Sequence, residues 1–153
     1  NEDLLKEYER EFKHALSAVL SLYKDPRCVV GGGAELLEIM RALRRSAENQ
    51  SEEDRLVYEA FADSLEALVR TLATNVGMKP LTTISLLNSK HSKNGVGYGI
   101  DAISREVADL DGKVVDPYLV VKSWMVSAVE LATTIIGVDE VIVTVKPKTE
   151  EKS

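Results

Sequence analysis

Three consecutive glycines, Gly31-Gly32-Gly33, precede a run with helical spacing that begins at Ala34. A helix start entered through glycine has no side chain shielding its free N–H groups. Those groups and the helix dipole favour an anion. Glycine also allows positive φ and close backbone contact with a ligand. No Lys-Ser or Lys-Thr follows the triplet, and the spacing is not G-x-G-x-x-G. Neither common phosphate-loop fingerprint is therefore met, and a plain tight turn remains the alternative. Asp116 has two readings: its carboxylate suits the cap of a helix beginning at Pro117, and it also suits a ribose hydroxyl if a nucleotide lies nearby.

The other reactive side chains read more plainly. His14 falls on a helix with no partner in sequence. His91 lies beside Lys90 and Lys93 near a helix end, where a cation suits the dipole, and is assigned a structural role. Cys28, the single cysteine, cannot form an internal disulfide or a metal site alone. It is expected to be a small buried apolar residue in a reducing, intracellular setting. Glu48, Glu52, Glu53 and Asp54 are expected to solvate a loop and a helix start.

The elements that must position these residues follow from periodicity. Leu5, Tyr8, Phe12, Ala15, Leu16, Val19 and Tyr23 recur at three- and four-residue steps, predicting a helix over 3–23 that ends at Asp25-Pro26. Residues 27–30 read as a short apolar link. A second helix is predicted over 34–47, with Leu36, Leu37, Met40 and Leu43 inward. Ser51, with Asp54 three residues on, opens a third that runs to about Asn75 and stops at Gly77. Its expected inner face is Leu56, Val57, Ala60, Phe61, Leu65, Leu68, Val69 and Leu72. Pro80 starts a fourth helix reaching about Lys90. Short strands are expected between Gly97 and Val115, with Asp111-Gly112 as a turn. The fifth helix runs from Pro117 to Gly137, with Val121, Trp124, Met125, Ala128, Leu131, Ala132 and Ile135 inward. Val141 to Val145 reads as an orphan strand that needs a partner edge, and 146–153 as a polar tail. The fold class is mainly α: multi-helical, with a small β hairpin and a C-terminal strand.

At 153 residues the chain has the length of one domain. Its net charge of -6 argues against nonspecific binding to nucleic acid or an anionic membrane. No apolar run approaches the roughly 20 residues of a membrane span. The start at Asn1-Glu2-Asp3, without Met, leads us to expect a piece of something longer.

Four segments, in order, carry a family likeness. RCVVGGGA at 27–34 resembles the "VVxGGGAxE" segment of group II chaperonins, the archaeal thermosome and the eukaryotic cytosolic ring complex. EAFADSLEALVRTL at 59–72, continued by ATNVG at 73–77, resembles their "xAFADALExIPRTLAENAG" helix. Residues 94–101 end in a family-like GID. VVDPYLVVKSWMVSAVELATTIIGVDEVI at 114–142 resembles the closing helix and its "DDxI" exit. The pattern of Asp116, Tyr118, Leu119 and Trp124 looks nearest the theta-type subunit.

The resemblance implies an intermediate-domain-like helix and link over 1–30, the C-terminal half of an equatorial domain over 31–145 and a flexible tail over 146–153. It implies that Gly31, Gly32 and Gly33 contact a nucleotide, Gly32 most closely. It further implies that Asp116 binds the ribose, that Asp101 and Ala102 lie against the adenine, and that the strand 141–145 joins a neighbouring subunit. The implied cofactor is ATP or ADP with Mg²⁺ in a complete subunit and none in this chain alone. The implied partners are other subunits of a cytoplasmic ring and unfolded clients held by an apical domain, with no nucleic acid and no membrane. The family's hydrolytic aspartate falls in a segment resembling "ERSxHDAL"; here 9–16 reads EREFKHAL and places His14 at that position. Histidine lacks the fixed charge and is a poor Mg²⁺ ligand, so no catalytic residue is assigned and this chain alone is expected to be inactive. The family's phosphate loop, metal-binding aspartate and apical domain have no counterpart in these residues. The alternative is a chaperonin-like scaffold that has lost hydrolysis.

Overall fold

The computed structural model describes residues 2–138. Five helices carry most of them: α1 (Glu2–Lys24), α2 (Ala34–Ala47), α3 (Glu52–Val76), α4 (Pro80–Asn94) and α5 (Tyr118–Ile136). Four short strands, β1 (Cys28–Val30), β2 (Tyr98–Asp101), β3 (Glu106–Asp109) and β4 (Val115–Pro117), form two antiparallel pairs, β1 with β4 and β2 with β3. The expected strand at 141–145 and the tail at 146–153 lie outside the described residues. The chain divides into two compact units, one up to Val120 and one from Val121 onward.

Local signals place the helix ends. Ser51, in an extended conformation, accepts the Asp54 N–H at 3.2 Å, which satisfies a free donor of α3's first turn. Gly77 closes the same helix at φ 85 and returns its N–H to Thr74 O, as a left-handed stop requires. Pro80 occupies the first turn of α4, where its missing N–H is no loss.

Within the first unit α2 packs on α3, and α3 on α4. Leu37, Met40, Val69 and Leu87 are the largest fully buried side chains, each worth about 1.5–3 kcal/mol over exposure. The buried stripe of α3 is Ala62, Leu65, Val69 and Ala73. This corrects the expected face, because Leu56, Val57 and Leu68 are exposed. The periodicity was right but the stripe is rotated onto two alanines, whose small side chains let helices approach closely. Arg44 ties the surface of this pair, donating to Asp63 at 2.9 Å and Glu66 at 3.0 Å.

Three further expectations are corrected. Residues 28–30 form a strand rather than a link. Cys28 is exposed, not buried, because it opens β1 at the edge of a two-stranded pair, opposite Pro117. And α5, 19 residues with a mean hydropathy of 1.5, is long and apolar enough to cross a membrane by length and composition. A search for an unbroken apolar run misses it, since Lys122 and Glu130 interrupt the run without lowering the mean far.

No residue of α1 is buried, and its stripe stands open to solvent, with Phe12 69% and Tyr23 90% exposed. Contiguous apolar surface of this kind drives association. Sedimentation velocity across a concentration series is expected to show self-association, weakened by Phe12→Glu. A clean monomer at high concentration would contradict it. Ser51→Ala is expected to cost about 1 kcal/mol in urea unfolding, and an unchanged midpoint would show that the cap contributes nothing.

Candidate functional site

The glycine turn joins β1 to α2 and is held on two sides. On one side Gly31 N–H donates to Val114 O at 3.0 Å, continuing the β1–β4 pair past its last partners, Val30 and Val115. On the other side Ile100 N–H of β2 donates to Gly32 O at 2.9 Å. The turn therefore lies between the two strand pairs, with α2 leaving from it.

Glycine relieves crowding or backbone strain at each of these points. A Cβ on Gly31 would stand 2.7 Å from Asp116 Oδ2. One on Gly32, which has φ 66, would stand 2.6 Å from Leu110 Cδ1 and 2.9 Å from Ile100 O. Gly33 at φ 80 is left-handed at the entry to α2. Gly99 is the matching residue on β2: its Cβ would stand 2.8 Å from Gly31 O. Sequence reasoning placed Gly99 only in a strand pattern. The alternation Gly97-Tyr98-Gly99 carried the signal, since glycine inside a strand marks close backbone approach.

Asp116 lies in β4 opposite Val29, and its carboxylate faces Gly31. The helix after it begins at Tyr118, whose N–H donates to Arg27 O at 3.0 Å. Asp116 is thus a strand residue two positions ahead of α5. This corrects the capping role, which needed the helix to begin at Pro117.

A second carboxylate went unnoticed in the sequence. Glu35, in the first turn of α2, has Oε2 buried without a hydrogen-bond partner. Burial pushes its pKa above the ordinary 4.5; the Asp116 charge adds to this, and the N–H groups of Glu35 and Leu36 oppose it. Those N–H groups belong to the donors an anion would seek at a helix start. The Glu35 side chain thus occupies the start of α2, and a phosphate would have to displace it. The only sequence signal was an acid directly after the triplet and Ala34, which reads equally as an ordinary dipole pairing.

Asp101 ends β2, one residue beyond Ile100. Its carboxylate accepts Ile103 N–H at 2.8 Å and the Ser104 hydroxyl at 2.8 Å. The Ser104 hydroxyl first, then the Ile103 N–H, hold its pKa below the usual value. The carboxylate is thus committed to the hairpin turn, whose Arg105 has φ 58. Ala102 is exposed in that turn. His14 is exposed on α1, and Glu48, Glu52, Glu53 and Asp54 are exposed as expected. A hollow of about 330 Å³ lies elsewhere, lined by residues 77–79 and by Thr82, Thr83, Leu86 and Arg105, and holds none of the candidate residues. Among the described residues no three His, Cys, Asp or Glu side chains cluster as metal ligands.

The Glu35 environment gives a pH test. An acid whose pKa is raised on folding contributes fully when neutral, below about pH 4.5, and loses that contribution as pH rises through the folded value. Glu35→Gln is therefore expected to be near neutral in urea unfolding at pH 4 and stabilising at pH 8. The gain at pH 8 should be on the order of 1 kcal/mol, the low end for a partly buried group. Destabilisation at pH 8 would contradict it.

Comparison with known proteins gives one consistent result. A sequence profile of the TCP-1/cpn60 chaperonin family matches residues 1–146. A thermosome subunit of Methanopyrus kandleri is 38% identical over 142 residues, 92% of this chain and 26% of that protein. Thermosome subunit alpha of Thermoplasma acidophilum is 36% identical over 144 residues, 94% of this chain and 26% of that protein. The open-state monomer of a group II chaperonin from Methanococcoides burtonii superposes with a TM-score of 0.72 at 28% identity, over 89% of this chain and 34% of that one. The chain thus spans about a quarter of the length of these curated relatives. The relatives named here are archaeal, and the theta-type likeness stays with its few residues. By sequence over nearly its whole length, and by its mainly α fold, the chain belongs to the TCP-1/cpn60 chaperonin family and corresponds to a segment of a group II chaperonin subunit.

Proposed function

We propose that this chain is the nucleotide-binding, ring-forming segment of a group II chaperonin subunit, working in an ATP-driven cytoplasmic machine that folds other proteins. The observation that carries it is the glycine turn: Gly32 pressed against β2 so closely that no Cβ fits, with the Asp116 carboxylate beside Gly31, in a chain matched to a thermosome subunit over 99% of its length. In this reading residues 1–30 are intermediate-domain-like, 31–145 the second half of an equatorial domain and 146–153 a tail.

The donor set supports one side of a nucleotide. Gly31 and Gly33 are buried and Gly32 is half-buried, so in this reading a base or sugar meets the triplet at Gly32, where no side chain intervenes. An ionised Asp116 only accepts hydrogen bonds, which suits ribose hydroxyls and not phosphates. The Glu35 side chain takes the N–H donors at the start of α2 that a phosphate would need. Asp101 and Ala102 then border the adenine through backbone and shape, since the Asp101 carboxylate is engaged in its turn. In this reading the phosphates and Mg²⁺ fall to the phosphate loop and metal-binding aspartate of a complete subunit. When bound in a complete subunit, ATP supplies the free energy that drives closure of the ring. Other subunits are the partners, and clients are gripped by an apical domain.

His14 favours a second reading, a chaperonin-like scaffold without hydrolysis. An imidazole at the position of the family's acid lacks the fixed negative charge that helps organise the metal-bound phosphate and the attacking water.

Grafting this chain in place of the matching segment of the Methanopyrus kandleri thermosome subunit tests the proposal. The chimera is expected to assemble and bind ATP, and Asp116→Ala in it to weaken binding about tenfold, equivalent to about 1.4 kcal/mol. The chain alone is expected to bind weakly or not at all. Binding unchanged by Asp116→Ala, or submicromolar binding by the chain alone, would overturn the reading. A chimera that binds ATP without hydrolysing it selects the scaffold alternative.

A further inference from the structure

His91 is far from the surface residue its neighbours in sequence suggest. Its side chain is 0% exposed. Nδ1 lies 2.8 Å from Glu38 Oε1 of α2, and Nε2 donates to Tyr98 O of β2 at 2.6 Å. A carbonyl only accepts, so the Nε2 proton is assigned by its partner. Nδ1 faces the Glu38 carboxylate, which Arg41 also approaches at 3.3 Å.

The two groups His91 holds both belong to the glycine turn's surroundings. α2 leaves directly from the turn, and β2 lies against it. Gly97 O faces β3, accepting Leu110 N–H at 2.9 Å. Backbone groups alternate along a strand, so Tyr98 O and Ile100 N–H point to the opposite, open edge of β2. That edge is satisfied at two points: His91 takes Tyr98 O, and Gly32 O takes Ile100 N–H. The second contact needs β2 and α2 at a fixed spacing, because Gly99 already meets Gly31 O without room for a methyl group. His91 is the side chain that bridges β2 and α2 beside that contact.

We propose that His91 is a positioning residue of the glycine-turn site, clamping the open edge of β2 to α2 so that Ile100 N–H reaches Gly32 O and the turn keeps its shape. Its value to a ligand rests on the nucleotide reading above; the clamp itself does not.

Amide hydrogen exchange on the chain separates local from global effects. His91→Leu fills the volume but removes both hydrogen bonds. It is expected to speed exchange at Ile100 about tenfold more than at Val69 in the α3 core. His91→Gln, whose amide can still donate to Tyr98 O, is expected to restore most of that protection. If His91→Leu does not fold, Glu38→Ala, which frees Nδ1 and leaves the Tyr98 bond, is expected to speed Ile100 about threefold more than Val69. Equal acceleration at both amides, or none at Ile100, would overturn the clamp. In the thermosome chimera His91→Leu is expected to weaken ATP binding about tenfold, with His91→Gln recovering it. Faster exchange at Ile100 with unaltered ATP binding would overturn the nucleotide reading of the turn and uphold the clamp.

Discussion

The hydrogen bond from Ile100 N–H to Gly32 O, 2.9 Å long, is the contact on which the site's shape depends. It requires two backbones to meet with no side chain between them. Gly31, Gly32 and Gly99 each stand where a Cβ would come within 2.9 Å of a neighbouring atom. From that meeting the rest follows. β2 and β3 lie over the turn, β1 and β4 brace it from the other side, and α2 leaves it with Glu35 and Asp116 close enough for their charges to interact. The turn is bordered by backbone groups and by the Asp116 and Glu35 carboxylates; in the proposed reading these face a sugar or a base rather than a phosphate.

Features written in short local patterns were legible in the sequence. Ser51 with Asp54, Gly77 and Pro80 each announce a helix end through chemistry confined to one turn, and each does so in the structure. The glycine triplet and its helix were also legible, to the residue. Features that depend on partners distant in sequence were not. β1 is three residues long and exists because β4, more than eighty residues later, pairs with it. Ala62 and Ala73 are core, where neighbouring elements pack against α3, which their small size permits but does not advertise. His91 was readable in part: it falls four residues after Leu87 and seven after Ile84, on the buried face of α4. The flanking Lys90 and Lys93 concealed this by suggesting solvent.

The large exposed apolar faces agree with the chain's share of its relatives. α1 buries nothing, and α5 buries only Val121 although it is apolar enough to pass for a membrane span. A helix of that composition needs a cover. A chain spanning about a quarter of its thermosome relatives leaves ample polypeptide to provide one.

A structure of the thermosome chimera with ADP bound would show where the nucleotide sits. Ribose hydroxyls are expected within about 3 Å of the Asp116 carboxylate, with the purine side of the nucleotide against the glycine turn, Gly31 to Gly33, and the phosphates directed away from Glu35. A nucleotide seated with its phosphates at the start of α2, or leaving the turn and Asp116 untouched, would contradict it.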